Sequence, residues 1–187
     1  MLKRILQVSV LLLTLFGSLR LYYNKSVGDV IDNYDGIEVY FNNIPFTSKG
    51  ESFSENGYFY GEKYKSMEYV KRYYDEKLDH KISEDISYGE EIFDESIKDG
   101  ELNKKANLTQ YSNPSNYPIK NGDILVLKST FYDPKGHVAI VSKVQEDSIE
   151  IVQQNCWKTT RRELELEKTA NSWKIKNDRV LGRLQKN

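Results

Sequence analysis

The chain has 187 residues, of which 39% are hydrophobic and 29% are charged; this balance indicates a globular domain and excludes an intrinsically disordered chain. The 27 basic and 28 acidic residues nearly cancel, so nothing in the charge favours nucleic acid or an anionic membrane surface as a partner. One cysteine and two histidines are too few for an internal disulfide or a typical zinc site, and we expect no metal or other cofactor.

The N-terminus has the pattern of an export signal. Lys3 and Arg4 precede an apolar run over residues 5–19, which Arg20 ends. A basic start followed by such a run is typical of a secretory signal, although the run is short for a membrane span. A cleaved signal peptide and a retained anchor over residues 1–22 therefore both stay open, with a buried core helix as the third alternative. We expect an exported protein in the periplasm, in the cell envelope or outside the cell.

One domain is predicted to follow this segment. Residues 23–36 are interpreted as a connector, and residues 37–185 as the domain. Residues 37–41 alternate between apolar and polar side chains, which predicts a strand. Residues 45–57 are polar and contain Gly and Ser, which favours a loop.

Two helices are predicted in the first half of the domain. From Ser66 onwards, apolar residues recur at helical spacing with charged residues between them, which predicts an amphipathic helix of about three turns. A second helix is predicted over residues 88–97, before Gly100. Residues 101–122 contain several Asn, Pro and Gly residues and are interpreted as a loop.

The second half of the domain is predicted to be a sheet. Residues 123–127, 137–144 and 148–152 are apolar runs separated by short turns, which favours an antiparallel meander. Residues 161–166 and 180–184 are weaker candidate strands. Helices followed by an antiparallel sheet predict an α+β domain.

Four polar residues are candidates for a catalytic site. Ser66 begins the first predicted helix, where backbone N–H groups and the helix dipole stabilise an anion. His137 begins a strand and could act as its base, and Gln153 or Asn155, after the next strand, could hold the imidazole in one tautomer.

Ordinary structural roles are the alternatives for each candidate. Ser66 could be a helix N-cap, His137 a residue at the edge of a turn, and Gln153 with Asn155 surface residues. Cys156 lies beyond the third strand, away from any predicted helix start, so we do not expect it to replace a missing thiol nucleophile. His80 follows the first helix and is interpreted as structural.

The order of four segments resembles the CHAP family of cysteine, histidine-dependent amidohydrolases and peptidases. Residues 57–74 resemble its nucleophile segment, which typically contains Gln-Cys-Val-Glu-Phe-Val-Lys-Arg-Tyr-Tyr. Residues 121–126 resemble its Gly-Asp strand, residues 136–141 its histidine segment, and residues 149–155 the strand that supplies its third polar residue. The resemblance covers roughly residues 29–184 of the sequence.

The resemblance implies a papain-like α+β fold, with N-terminal helices packed on an antiparallel sheet. It places His137 at the catalytic histidine, Gln153 where many members have glutamate, and Asn155 where many have asparagine. Ser66 occupies the position of the nucleophilic cysteine. A serine hydroxyl is almost wholly protonated at neutral pH, whereas a cysteine beside a histidine is partly thiolate. The loss of the thiol and the loss of the carboxylate both predict weak or absent catalysis.

Three functions stay open at this stage. The resemblance implies a hydrolase that acts on the amide bonds of peptidoglycan, with a possible membrane tether through residues 5–19. The second is a pseudoenzyme that binds a cell-wall peptide or regulates an active relative. The third is an immunity-type partner of a CHAP effector, which only the altered site motivates.

Overall fold

The computed structural model describes residues 25–43 and 49–186, together with residues 7, 10 and 13–15. Those five N-terminal residues are helical, and Val10, Leu13 and Leu15 are more than half exposed. None of the helices in the described part of the chain is long and apolar enough to cross a membrane. The rest of the predicted export segment, and residues 44–48 of the predicted loop, lie outside the described residues.

The described domain is mostly β-structure with one α-helix, α1, at Ser66–Leu78 and a short 3₁₀ helix at Glu90–Ile92. The strands are β1 (Val30–Tyr34), β2 (Ile37–Tyr40), β3 (Glu51–Phe53), β4 (Phe59–Glu62), β5 (Leu102–Asn103), β6 (Leu108–Ser112), β7 (Ile124–Leu127), β8 (His137–Val144), β9 (Ser148–Val152), β10 (Arg161–Thr169), β11 (Ser172–Ile175) and β12 (Val180–Gln185).

Eight strands form one antiparallel sheet in the order β11-β10-β9-β8-β7-β12-β6-β5. The last strand, β12, lies between β6 and β7 and joins the meander β7–β11 to the hairpin β5–β6. Two further antiparallel hairpins, β1–β2 and β3–β4, precede α1 in the chain. The antiparallel sheet predicted from the sequence is confirmed.

Both faces of the central strands are buried, which explains why β7 and residues 138–141 of β8 are continuous apolar runs. Side chains alternate between the two faces of a strand. Ile124 and Val126 therefore belong to one hydrophobic cluster, shared with Tyr74 of α1, while Leu125 and Leu127 belong to a second cluster on the opposite face. The helix α1 packs against β2, β4 and β8, and this packing places its first turn near the start of β8.

The second predicted helix, over residues 88–97, is wrong. Only the single 3₁₀ turn Glu90–Ile92 forms there. The Asp94 carboxylate accepts hydrogen bonds from the Ser96 backbone N–H at 2.9 Å and from the Ser96 hydroxyl at 2.6 Å. This local turn competes with helical hydrogen bonding, so the helix does not continue. The described N-terminal half of the domain thus contributes one α-helix to the sheet instead of two.

Two regions that the sequence pattern assigns to irregular structure contain strands. β1 lies within the predicted connector over residues 23–36, where it pairs with β2. β5 and β6 lie within the predicted loop over residues 101–122. Thr109 and Gln110 of β6 are polar and buried, so β6 lacks the alternation by which a half-buried strand is predicted.

Candidate active site

Ser66 is the first residue of α1 and is only 7% exposed. The N-cap position belongs to Lys65, whose backbone is extended and whose side chain makes no capping hydrogen bond. Among the described residues, the Ser66 hydroxyl has no hydrogen-bond partner. The alternative that Ser66 is an ordinary N-cap is therefore wrong, and its hydroxyl is available for another contact at the positive end of the helix dipole.

A buried hydrogen-bond network fixes the start of α1 to the end of β9. The side-chain amide of Gln154 donates to the Lys65 carbonyl at 3.0 Å and to the Glu68 carboxylate at 2.6 Å. Its oxygen accepts from the Tyr40 backbone N–H at 2.8 Å. The other Glu68 oxygen pairs with Arg72 at 3.0 Å, one helical turn further on. Because Gln154 lies between Gln153 and Asn155 in the chain, this network fixes Ser66 relative to both.

His137 begins β8, opposite Leu127 of β7, and is 6% exposed. Gly89, next to the 3₁₀ helix, packs directly on its backbone. A Cβ atom at Gly89 would lie 2.7 Å from the His137 carbonyl carbon, a separation that real Cβ atoms do not adopt. This close approach to the His137 backbone requires glycine at position 89.

The His137 ring contacts Gln153 and Cys156. The Gln153 side chain interacts with the ring, where it acts to raise the pKa of His137, and it donates a hydrogen bond to the Thr159 carbonyl at 3.0 Å. The Cys156 Sγ lies 3.3 Å from Nε2 of the ring. Asn155 instead accepts a hydrogen bond from the Asn42 side-chain amide at 2.8 Å. Gln153 is thus positioned as an orienting group, whereas the Asn155 carbonyl oxygen is already engaged by Asn42.

The contact between Cys156 and His137 was not foreseen from the sequence. Cys156 has no helix start or motif beside it, and the contact depends on how the chain turns after β9. Asn155 and Trp157, on either side of it, both have positive φ values, 68° and 54°. These conformations are uncommon for residues other than glycine, so no pattern in the sequence marks this turn.

Burial keeps the His137 and Cys156 side chains neutral at pH 7. It lowers the pKa of His137 to about 4, an effect that Arg179 reinforces and that Asp133 and Gln153 oppose. It raises the pKa of Cys156 to about 12, although Arg179 and Arg162 lower it in part. A neutral thiol beside a neutral imidazole is not the thiolate–imidazolium pair on which cysteine peptidases depend.

The candidate residues line two adjoining cavities. The first has a volume of about 280 Å³ and is lined by Ser66 and Asn155 among others. The second, of about 400 Å³, is lined by His137, Gln153, Asn155 and Cys156. Asp133 and Asn155 border both cavities. The structure therefore brings all four predicted residues to one face of the domain, while their catalytic role stays a prediction.

No hydrogen bond joins Ser66 to His137 among the contacts of the described residues. In this part of the chain there is also no group of three or more His, Cys, Asp and Glu side chains that could hold a metal ion.

The family model described as CHAP domain matches residues 56–155, which is more than half of the chain. The chain belongs to the CHAP family. The match spans α1 and the strands β7, β8 and β9, together with all four candidate residues. The resemblance inferred from the sequence is confirmed at the level of the family.

Other comparisons add less to this CHAP assignment. A search of curated proteins finds no match. Among solved structures, that of Ly7917 is similar with 17% sequence identity and a TM-score of 0.39. The matched region covers 74% of this chain and 57% of the Ly7917 chain.

Proposed function

We propose that this protein is an exported CHAP-family protein that binds peptidoglycan peptides and has weak or no amidase activity. One observation carries the proposal: the His137 ring is buried and contacts Cys156 through Nε2, while the Ser66 hydroxyl is not hydrogen-bonded to it. The family suggests the peptidoglycan-related amidase or peptidase class, and the basic and apolar N-terminus supports export.

The chemistry of amide hydrolysis explains why turnover should be weak. Ser66 would have to lose its proton to His137 as it attacks the carbonyl carbon. A pKa of about 4 makes His137 a weak base for this step. Among the described residues, no carboxylate hydrogen-bonds to the imidazole in place of Gln153, and the charge of Asp133 favours the imidazolium without offsetting the effect of burial. Replacing the orienting carboxylate of a serine triad by an amide costs about four orders of magnitude in kcat.

The retained cavities explain why binding should persist. Ser66 and His137 still lie at adjoining cavities of about 280 and 400 Å³, which together are large enough for a short peptide. The buried network at Gln154 keeps the start of α1 in place without any contribution from a nucleophilic thiol.

Co-sedimentation with purified, insoluble peptidoglycan tests the binding half of the proposal. We expect the wild-type protein to sediment with peptidoglycan, and Ser66→Leu, which fills the first cavity, to bind at least about tenfold more weakly. Ser129→Leu is the matched control, because Ser129 is exposed and lies outside both cavities. Failure of the wild type to sediment, or equal binding by Ser66→Leu, would refute the proposal.

A further inference from the structure

The contact between His137 and Cys156 decides where the neutral imidazole carries its one ring proton. The Cys156 Sγ lies 3.3 Å from Nε2 of the ring. Either the thiol donates its hydrogen to an unprotonated Nε2, or a protonated Nε2 donates to the sulfur. A neutral imidazole has one N–H and one lone pair, so the direction of this hydrogen bond sets the tautomer. The tautomer in turn sets which neighbour the basic lone pair of His137 faces.

The thiol is the better donor in this pair. Burial raises the pKa of Cys156 to about 12, so the sulfur keeps its hydrogen at neutral pH. Sulfur is a weak acceptor, whereas the unprotonated nitrogen of a neutral imidazole is an ordinary one. In the described part of the chain, the other acceptor within reach of the thiol is the Gln154 carbonyl, which is farther away at 3.8 Å. The S–H bond is therefore directed at Nε2.

Gln153 agrees with this direction. Its side-chain amide donates to the Thr159 carbonyl at 3.0 Å, which leaves its oxygen to face the ring. Its interaction with the ring acts to raise the pKa of His137. An oxygen that accepts from a ring N–H has this effect, because it favours the protonated ring, whereas a donor has the opposite effect. With Nε2 engaged by the thiol, the N–H that faces an acceptor is that of Nδ1.

We propose that Cys156 is a positioning residue that holds His137 in the Nδ1–H tautomer, with the Nε2 lone pair directed at its thiol. In this tautomer Nδ1 cannot accept a proton, and the one lone pair that can is occupied by Cys156. Ser66, which makes no hydrogen bond to the ring among the described contacts, is then left without a base. The inference deepens the proposed function, because it rests on weak or absent amidase activity and gives a cause outside the nucleophile position.

Nitrogen-15 NMR of the full chain, with long-range correlations to the ring protons at pH 8, reads the tautomer directly. The chain has two histidines, and the second one is an internal reference. His80 Nε2 lies 2.9 Å from the Ala106 carbonyl oxygen, which can only accept, so a neutral His80 carries its proton on Nε2. We expect the opposite pattern for His137, with Nδ1 as the protonated nitrogen and Nε2 as the unprotonated one.

Two substitutions next to each other separate the thiol from the turn that carries it. Cys156→Ala removes the donor, so the Nε2 signal of His137 should move to higher chemical shift, towards that of an unprotonated nitrogen without a hydrogen bond. Trp157→Ala is the matched control, because Trp157 follows Cys156 in the same turn and is 52% exposed. The control should leave the Nε2 signal of His137 where the wild type has it.

A wild-type His137 that carries its proton on Nε2 would overturn the proposal, and this result needs no variant to fold. An Nε2 signal that is the same in Cys156→Ala as in the wild type would also overturn it. Sedimentation of the wild type with peptidoglycan is scored separately. A wrong tautomer with retained sedimentation would leave the proposed binding function intact, and loss of sedimentation with the expected tautomer would refute the binding function alone.

Discussion

Gln154 is the residue whose removal should damage the site most without touching a candidate catalytic group. It is 1% exposed and connects three separate parts of the domain: the start of α1, the Glu68–Arg72 pair and the backbone of β2. Gln154→Ala would leave the Glu68 carboxylate, the Lys65 carbonyl and the Tyr40 N–H without these partners.

The expected loss of folding stability in Gln154→Ala follows from these three contacts. A buried donor or acceptor left without a partner costs about 1–3 kcal/mol, and a charged one costs more. Water that enters the vacated space offsets part of this loss, because the substitution removes most of a side chain. We therefore expect Gln154→Ala to lower the free energy of unfolding by about 3–5 kcal/mol, a large part of the stability of a domain of this size.

Urea unfolding followed by circular dichroism measures this change. Gln145→Ala is the matched control, because Gln145 is half-exposed and its amide bonds to Ser148 and Glu163 near the surface. The control substitution should lower the free energy of unfolding by about 1 kcal/mol or less. If Gln154→Ala were no more destabilising than Gln145→Ala, the reasoning that this network holds the start of α1 in place would be refuted.

Three further predictions concern the charge state and backbone of the domain. Because burial lowers the pKa of His137 to about 4, the unfolded chain binds more protons between that value and about 6.5. Stability should fall by up to about 3 kcal/mol as the pH drops through this range, and a His137→Gln variant with an unchanged pH profile of unfolding would contradict this. Burial raises the pKa of Cys156 to about 12, so iodoacetamide should alkylate it at pH 8 at least about 100-fold more slowly in the native than in the urea-unfolded protein; equal rates would count against a neutral thiol in the native protein. Asp79 ends α1 with a φ of 47°, so Asp79→Gly should raise the free energy of unfolding by about 0.5–1 kcal/mol, and a lower urea midpoint would show that its side chain stabilises the helix end.

The parts of the fold that could be predicted are those with a strong local pattern. The helical spacing after Ser66 predicts α1, which ends at Leu78. The apolar runs over residues 123–127, 137–144 and 148–152 correspond to β7, β8 and β9. In each case the segment buries a face whose residues are regularly spaced in the sequence, so the pattern reflects the core directly.

Elements whose polar residues are satisfied by tertiary contacts could not be predicted. Gln110 of β6 is buried because its side chain bonds to the Asp94 carbonyl and to Asn103, and a sequence pattern does not reveal such partners. The predicted second helix fails for a related reason, since the Asp94 carboxylate binds Ser96 locally.

In the candidate site, too, some features follow from a local sequence pattern and others depend on tertiary contacts. The positions of Ser66 and His137 on their elements follow from the helix start and the strand start. The contact between Cys156 and His137 and the neutral state of the imidazole depend on burial, which is a property of the folded domain. Ser66 and Gln153 stand where the CHAP pattern has cysteine and often glutamate, and this difference in chemistry alone predicts weak catalysis. The low pKa of His137 is a further reason, and it follows only from the folded structure.

Release of new amino termini from purified peptidoglycan is the measurement that tests the central claim most directly. It should be made with wild type, Ser66→Ala and Ser66→Cys, each checked for folding. The account predicts that the wild type and Ser66→Ala release equally little product while Ser66→Cys, which restores a thiol at the start of α1, releases no less than the wild type. Robust turnover by the wild type that Ser66→Ala abolishes would contradict the account and establish a working serine hydrolase.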